Sequence, residues 1–149
     1  MIKTFSYKVV PAAGRRKLVE RINPPGWPVP KGYANAIAGE GRLVFVAGQI
    51  GWEPDGTWRT DDFVGQLRQA LVNTRTILET AGAKPEHIVR MTWYVVDKRE
   101  YLARLPDIGR CWREILGRHY PAVALIQVAG LLEDRAKLEI ETTALIPRP

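Results

Sequence analysis

The side chains that most often serve as nucleophiles and general bases are scarce in this chain, which narrows its chemistry before any fold is considered. Ser6 is the single serine, and it lacks the strand-to-helix turn that nucleophilic hydroxyls usually need, so a serine hydrolase is not expected. His87 and His119 are the only histidines. They lack the i, i+4 spacing of a helical metal pair and a third obvious ligand, and read as surface histidines at element ends. Cys111 is the only cysteine, which rules out an internal disulfide and any multi-cysteine zinc or iron–sulfur cluster. It lies beside Arg110, Trp112 and Arg113, where cations would lower its pKa; the competing reading is an inert helix thiol. Gly39 and Gly41 precede a strand rather than a helix, the wrong context for a dinucleotide fingerprint. No metal and no cofactor is therefore expected. Among the carboxylates, Glu139 and Glu141 stand two residues apart in a strand-like stretch and so share one face.

The elements that must position these groups belong to one domain. The chain has 149 residues, 46% of them hydrophobic and 26% charged, enough for a single core that buries roughly 70% of the unfolded surface. No apolar run approaches the roughly 20 residues of a bilayer span, and Met1 to Val10 has no apolar stretch of signal-peptide length. A soluble, cytoplasmic protein without a membrane partner is expected. The net charge of +6 raises the question of nucleic acid. Yet the basic clusters, Arg15, Arg16, Lys17 and Arg21 and then Lys98, Arg99 and Arg104, do not interleave aromatics as a single-strand platform does, so they read as solvated surface.

Residues 1 to 16 form an expected N-terminal extension ending in Pro11, Ala12, Ala13 and Gly14, and residues 17 to 149 a single domain. Lys17 to Ile22 alternates as a first strand. Pro24, Pro25, Pro28 and Pro30 then fix an extended surface loop. Ala34 to Ala38 and Leu43 to Gln49 are predicted as a hairpin around Gly39, Glu40 and Gly41. A helix follows over about Asp62 to Ala81, with Thr60, Asp61 and Asp62 as capping residues, Gly82 as the stop, and Val64, Leu67, Leu71, Thr74 and Leu78 as its apolar stripe. Ile88 to Val96 is a strand. About Arg104 to Arg118 is a second helix, with Pro106 in its first turn and Leu105, Ile108, Trp112, Ile115 and Leu116 as its stripe. Ala122 to Val128 and Lys137 to Ile146 are the last strands. Trp52 and Trp58 flank the turn at Pro54, Asp55 and Gly56, either lining a cleft mouth or pinning the loop.

The order β-β-β-α-β-α-β-β makes each strand-helix-strand unit a parallel crossover, so both helices cover the same face of the sheet. The stretches Leu43 to Ala47 and Ala122 to Ile126 are apolar on both faces, as strands are when both sides are covered. Two helices cover only one. The other face then needs a partner, and a second copy of the chain is the natural cover.

With those elements laid out, several short signposts acquire meaning: Asn23-Pro24-Pro25, Gly32-Tyr33-Ala34-Asn35-Ala36, Val46-Ala47-Gly48-Gln49-Ile50, the Leu78 to Gly82 stretch, Tyr120-Pro121-Ala122 and Leu138-Glu139-Ile140-Glu141. In order and spacing, from about Lys17 to Pro147, the chain resembles the RidA family, also called the YjgF or L-PSP family. The resemblance implies an α+β, chorismate-mutase-like fold: a mixed β-sheet of about six strands with two helices on one face. It also implies a homotrimer with ligand clefts between subunits. Characterised members hydrolyse reactive enamines and imines to ammonia and a keto acid, and an endoribonuclease or translation-inhibitor label has also been attached to the family.

By that resemblance Glu139 is the glutamate that positions the hydrolytic water, with a strand carboxylate paired to a neighbouring base as the competing reading, and Glu141 a surface or interface charge. Tyr33 is either a cleft wall donated by the adjacent subunit or an ordinary strand aromatic, and Gly48 lets a ligand or backbone approach closely. The chain departs from the family at Val123, which stands where the deaminases carry an arginine that grips the substrate carboxylate. Ala47, Leu105 and Leu125 likewise replace a serine, an asparagine and a cysteine. All four changes run from polar to apolar, which implies a greasier cleft suited to a larger or less charged small-molecule ligand than a small imino acid. The resulting expectation is a RidA-like imine or enamine deaminase, with a non-catalytic ligand-binding trimer as the alternative and nucleic-acid cleavage disfavoured for want of a histidine pair or metal–carboxylate cluster.

Overall fold

A computed structural model describes residues 19–148; the expected N-terminal extension lies outside the described residues. Six strands and three helices follow in the order β1 (Val19–Ile22), β2 (Ala36–Gly39), β3 (Gly41–Gln49), α1 (Phe63–Thr80), β4 (Ile88–Val95), α2 (Lys98–Ala103), α3 (Leu105–Leu116), β5 (Ala122–Gln127) and β6 (Leu138–Pro147). The strands divide between a four-stranded sheet, ordered β3-β6-β4-β5, and a separate β1-β2 ribbon. β4 and β5 are parallel, while β6 runs antiparallel to both of its neighbours, so the sheet is mixed and the fold α+β.

The expected hairpin at Gly39 to Gly41 does not form. β2 pairs with β1, and β3 pairs with β6. Gly39 and Gly41 are themselves in strands and only Glu40 separates them, one residue fewer than the tightest common hairpin loop needs to reverse the chain. The chain turns a corner instead. Ala34 bridges to Ala122 on edge strand β5 and its N–H donates to the Pro121 carbonyl at 2.8 Å. β2 then crosses the end of the sheet to reach β3, the opposite edge.

α1 begins where predicted, with the Asp62 carboxylate accepting from the Gly65 N–H at 2.9 Å. It ends in a Schellman turn: the Gly82 N–H donates to the Glu79 carbonyl and the Ala83 N–H to the Leu78 carbonyl. Gly82 supplies the positive φ of 75° that this closure requires. The buried stripe of α1 includes Gln66, which the apolar pattern omitted and which is fully buried. Its amide donates to the Arg135 carbonyl and accepts from the Lys137 N–H, both at 2.9 Å, so the buried polar group is satisfied and straps the β5–β6 connection to the helix. The second predicted helix is preceded by a separate one, α2, whose start Asp97 caps by accepting from the Arg99 N–H at 2.8 Å. No residue of α2 is buried, so no apolar period announced it, and Pro106, which has no N–H, separates its hydrogen bonding from that of α3.

Both long helices cover one side of the sheet. Leu67, Leu71, Ile108, Trp112 and Ile115 join Val46, Met91, Trp93, Val95 and Ile140 in one core. The other side is left uncovered by the described residues, and it is less uniformly apolar than expected. Phe45 and Leu43 on β3 are 75% and 52% exposed and Ile126 on β5 is 46% exposed. The two central strands between those edges present Arg90, Thr92, Tyr94, Glu139 and Glu141 to the same side.

Candidate functional site

The residues singled out from sequence fall into two groups, and strand register separates them. Val123 is the partner of Met91, which is the partner of Thr142. Glu139 lies three residues from Thr142 on the same strand, and an odd step along a strand reverses the face. Val123 therefore belongs to the helix-covered side and Glu139 to the open side.

On the open side, Gly48 and Glu139 come together. Between Val46 and Gln49, β3 spends three steps against the two from Thr142 to Ile140 on β6, so a bulge sits at Ala47 and Gly48. The half-buried Glu139 carboxylate lies directly over this bulge, where a Cβ on Gly48 would overlap the carboxylate oxygen Oε1. Glycine thus leaves room for this placement of the carboxylate, which any side chain here would displace. The neighbouring carboxylate is differently placed: Tyr94 Oη donates to Glu141 Oε2 at 2.9 Å. This bond favours the protonated phenol and holds the Tyr94 pKa above its ordinary value, with burial and the carboxylate charges adding to the shift. Among the described residues no donor is bonded to the Glu139 carboxylate. Of the two carboxylates on this strand face, Glu141 is engaged within its own sheet, and Glu139 has no donor among the described residues.

On the helix side, Tyr33 and Val123 line one cleft of about 390 Å³ with Leu105 and Leu125. Tyr33 precedes β2 rather than lying in a strand. The remaining wall, which the sequence reading did not assign to a site, is aromatic. Tyr101, Trp93, Trp112 and Tyr120 form a continuous run of rings, with centroids 6.4, 6.1 and 6.0 Å apart, the last pair stacked. Trp112 was visible as part of an apolar stripe, but only the pairing of β4 and β5 beneath α3 shows that it faces Trp93 and a cleft. Tyr33 and Val123 also border a shallower groove with Arg90 from the open side, so the two faces communicate around edge strand β5.

The remaining candidates are structural. Trp52 and Trp58 pack with centroids 6.3 Å apart, and Arg135, bonded to Asp61 at 2.9 Å, lies 5.4 Å from the Trp58 ring centre, so the pair pins its loop. Cys111 is buried in the core, and burial pushes its thiol pKa up against the opposing charge of Arg68, which leaves it protonated and unreactive. The His87 Nδ1 accepts from the Lys84 N–H at 3.1 Å, and His119 Nε2 lies 2.6 Å from the Ile88 carbonyl, so both rings tie down the entry to β4. Among the described residues no group of three or more His, Cys, Asp or Glu side chains could hold a metal ion, and no helix is long and apolar enough to cross a membrane.

Known proteins resemble this chain in sequence and in fold. The profile of the family described as Endoribonuclease L-PSP matches residues 28–146. A Salmonella typhimurium protein named 2-iminobutanoate/2-iminopropanoate deaminase is 32% identical over 108 residues, 70% of this chain and 80% of that protein. A Haemophilus influenzae RutC family protein is 35% identical over 105 residues, 70% of this chain and 80% of its own length. Among solved structures, the Rid family protein YyfB of Yersinia pestis superposes with a TM-score of 0.76 at 32% identity, covering 87% of this chain and 99% of that one. A family profile spanning most of the chain, relatives at 32% and 35% identity and one common fold lead to a single conclusion: this chain belongs to the RidA family, also known as the YjgF or L-PSP family.

Proposed function

We propose that this protein is a homotrimeric hydrolytic deaminase of imines or enamines, with Glu139 as its water-positioning carboxylate and an apolar cleft bordered by Val123 and Tyr33 in place of a carboxylate clamp. The observation that carries the reading is the state of Glu139. Its carboxylate rests on the Gly48 bulge without a donor from the described residues, while Glu141 beside it is bonded to Tyr94. The Salmonella relative named as an iminobutanoate and iminopropanoate deaminase supports the reaction class.

An imine carbon is already electrophilic, so the site has only to hold the substrate, orient one water and move protons. The Glu139 carboxylate accepts a hydrogen bond from that water. The water oxygen adds to the imine carbon while its proton passes through the carboxylate to nitrogen, giving a carbinolamine. Transfer of the hydroxyl proton to nitrogen then breaks the carbon–nitrogen bond and leaves a carbonyl and ammonia. An enamine enters the same route after tautomerising to the imine.

Within one protomer the thickness of the sheet separates Glu139 from Val123. A homotrimer removes that separation by bringing the open face of one copy to the β5 edge of the next, and the exposed Phe45, Leu43 and Ile126 favour such an interface. Ammonia release from imines generated in situ tests the proposal. Glu139→Gln is expected to lower it by roughly 100-fold, the ordinary scale of a lost general base, without changing the assembly mass. Full activity in Glu139→Gln, or a stable monomer by light scattering at dilute concentration, would overturn it. Val123 favours a second reading, a trimer that binds its ligand without turnover. Unchanged ligand affinity together with no ammonia release from the wild-type protein would select that reading.

A further inference from the structure

The β1–β2 ribbon is held to the rest of the fold at few points. Its strands pair only with each other, and no residue of either strand is buried. Among the described residues, one side-chain hydrogen bond ties the ribbon to another part of the chain: Arg21 Nη2 lies 3.3 Å from His119 Nδ1. Residues 23–35, which join the two strands, carry Tyr33. This strap is closed on itself, since Asn35 Nδ2 donates to Asn23 Oδ1 at 2.6 Å. At its far end the Ala34 N–H donates to the Pro121 carbonyl at 2.8 Å, and Ala34 bridges to Ala122. Both ends of the strap therefore rest on the stretch 119–122. Elements with so little buried surface open locally at low cost.

The protonation state of the half-buried His119 decides whether the Arg21 bond exists. The Ile88 carbonyl, 2.6 Å from Nε2, only accepts, so Nε2 carries the proton of the neutral ring and Nδ1 is the acceptor that Arg21 meets. A charged ring has an N–H at both nitrogens. Nδ1 then offers Arg21 no lone pair, and two cations face each other across 3.3 Å. Holding Arg21 and taking up a proton are mutually exclusive. From the turn before β4, the Glu86 carboxylate favours the charged ring and His87 opposes it. Arg118 precedes His119 in the chain, and Trp112 of α3 meets the segment through an uncharged contact, its Nε1 donating to the His119 carbonyl at 3.1 Å. Burial holds the ring below its ordinary pKa; the Ile88 carbonyl opposes that shift and Arg21 adds to it. The neutral ring is thus the form present at pH 7, and the charged ring forms below pH 6.5.

We propose that Arg21 and His119 form a pH-sensitive latch: the neutral ring holds the β1–β2 ribbon and the Tyr33 strap against the stretch 119–122, and protonation releases them. Acid thereby loosens one wall of the cleft, because Tyr33 lines it, while the helices and the four-stranded sheet stay folded. The latch is a property of the described chain and stands whether or not the protein is a deaminase.

Hydrogen exchange of the full-length protein, read by mass spectrometry and corrected for the intrinsic effect of pH on exchange, tests the latch without any ligand or turnover. Between about pH 7.5 and pH 5.0, protection over residues 19–39 is expected to fall by about fivefold, the scale of one partly exposed hydrogen bond, while that of α1 holds. Arg21→Met removes the donor at an exposed position, so the fold should survive. Its ribbon is expected to be weakly protected at both pH values. His119→Gln keeps a donor and an acceptor but does not titrate, and should keep the ribbon protected at both. Reciprocity adds a second readout: a partner that binds only the neutral ring must lower its titration midpoint, so the His119 midpoint followed by NMR should move up in Arg21→Met. Ribbon protection that does not change with pH in the wild-type protein would overturn the latch. So would an Arg21→Met ribbon that responds to pH as the wild type does, or an unmoved His119 midpoint. Equal loss of protection in α1 would overturn it too, since acid would then be unfolding the whole domain. Should His119→Gln fail to fold, Arg21→Met decides.

Discussion

The two faces of the sheet are built from the same strands and have opposite characters. The helix side is aromatic and largely apolar, with Trp93 and Trp112 at its centre and Leu105, Val123 and Leu125 around them. The open side is polar through its middle, with Glu139, Glu141, Tyr94 and Arg90, and apolar at its two edges. One side carries an aromatic cleft and little charge, and the other carries a groove lined by Arg90 and Glu141 and no aromatic wall. Each lacks what the other provides for catalysis. The separation follows from the two-residue period of a strand, and it makes the proposed activity a property of the assembly.

The contrast is most sharply broken at Gly48. Gly48→Ala places a Cβ where the Glu139 carboxylate lies, so the carboxylate must move. Ammonia release is expected to fall by roughly 50-fold, about 2.3 kcal/mol of transition-state stabilisation, because an ångström of misplacement at a catalytic group is costly. The affinity of the aromatic cleft should stay within about twofold by calorimetry, since that region lies across the sheet. Equal losses in both would show that the two regions act as one unit within a protomer.

A smaller effect is expected from Val123→Arg, which restores a guanidinium at the cleft. Affinity for phenylacetate should rise by roughly tenfold, the scale of one charge-assisted hydrogen bond, while affinity for phenylacetamide falls. If both probes respond alike, charge at Val123 does not decide which ligand enters.

The smallest effect concerns stability and involves neither face directly. Burial depresses the pKa of His119 below the ordinary imidazole value of 6.5, in part offset by its bond to the Ile88 carbonyl. The folded state therefore binds fewer protons than the unfolded state once the unfolded imidazole begins to titrate. The contribution of His119 is fully present above pH 6.5 and is lost as pH falls through the folded pKa. In His119→Gln the fall in Tm between pH 7.5 and 5.5 should be shallower than in the wild-type protein. Parallel curves would remove His119 from the acid sensitivity.

Local rules made much of this molecule legible. Asp62 and Gly82 marked the ends of α1 because capping chemistry acts over a few residues. Pro106 lies in the first turn of α3 because a proline loses nothing there that the helix would use. The covered and open faces were visible in the double-sided apolar character of Leu43 to Ala47. The false hairpin came from reading Gly39 to Gly41 as turn chemistry, when the partner strands were elsewhere. Gln66 was passed over because a buried amide looks polar in sequence, and only its carbonyl and N–H partners from the β5–β6 connection explain its place. Among the site residues, Glu139 and Gly48 could be named one by one. Their mutual contact could not, since it depends on a bulge that sets three steps of β3 against two of β6.

The sequence by itself determined the scarcity of nucleophiles, the identity and ends of the long helices, the alternation that puts Glu139 and Glu141 on one face, and the family. All of these are encoded in residue types or in spacings shorter than one element. Tertiary structure decided which strands are neighbours, which carboxylate stays free, and that Trp93 and Trp112 wall a cleft with Val123. Those depend on contacts between residues tens of positions apart, where a one-residue change of register reverses every side chain.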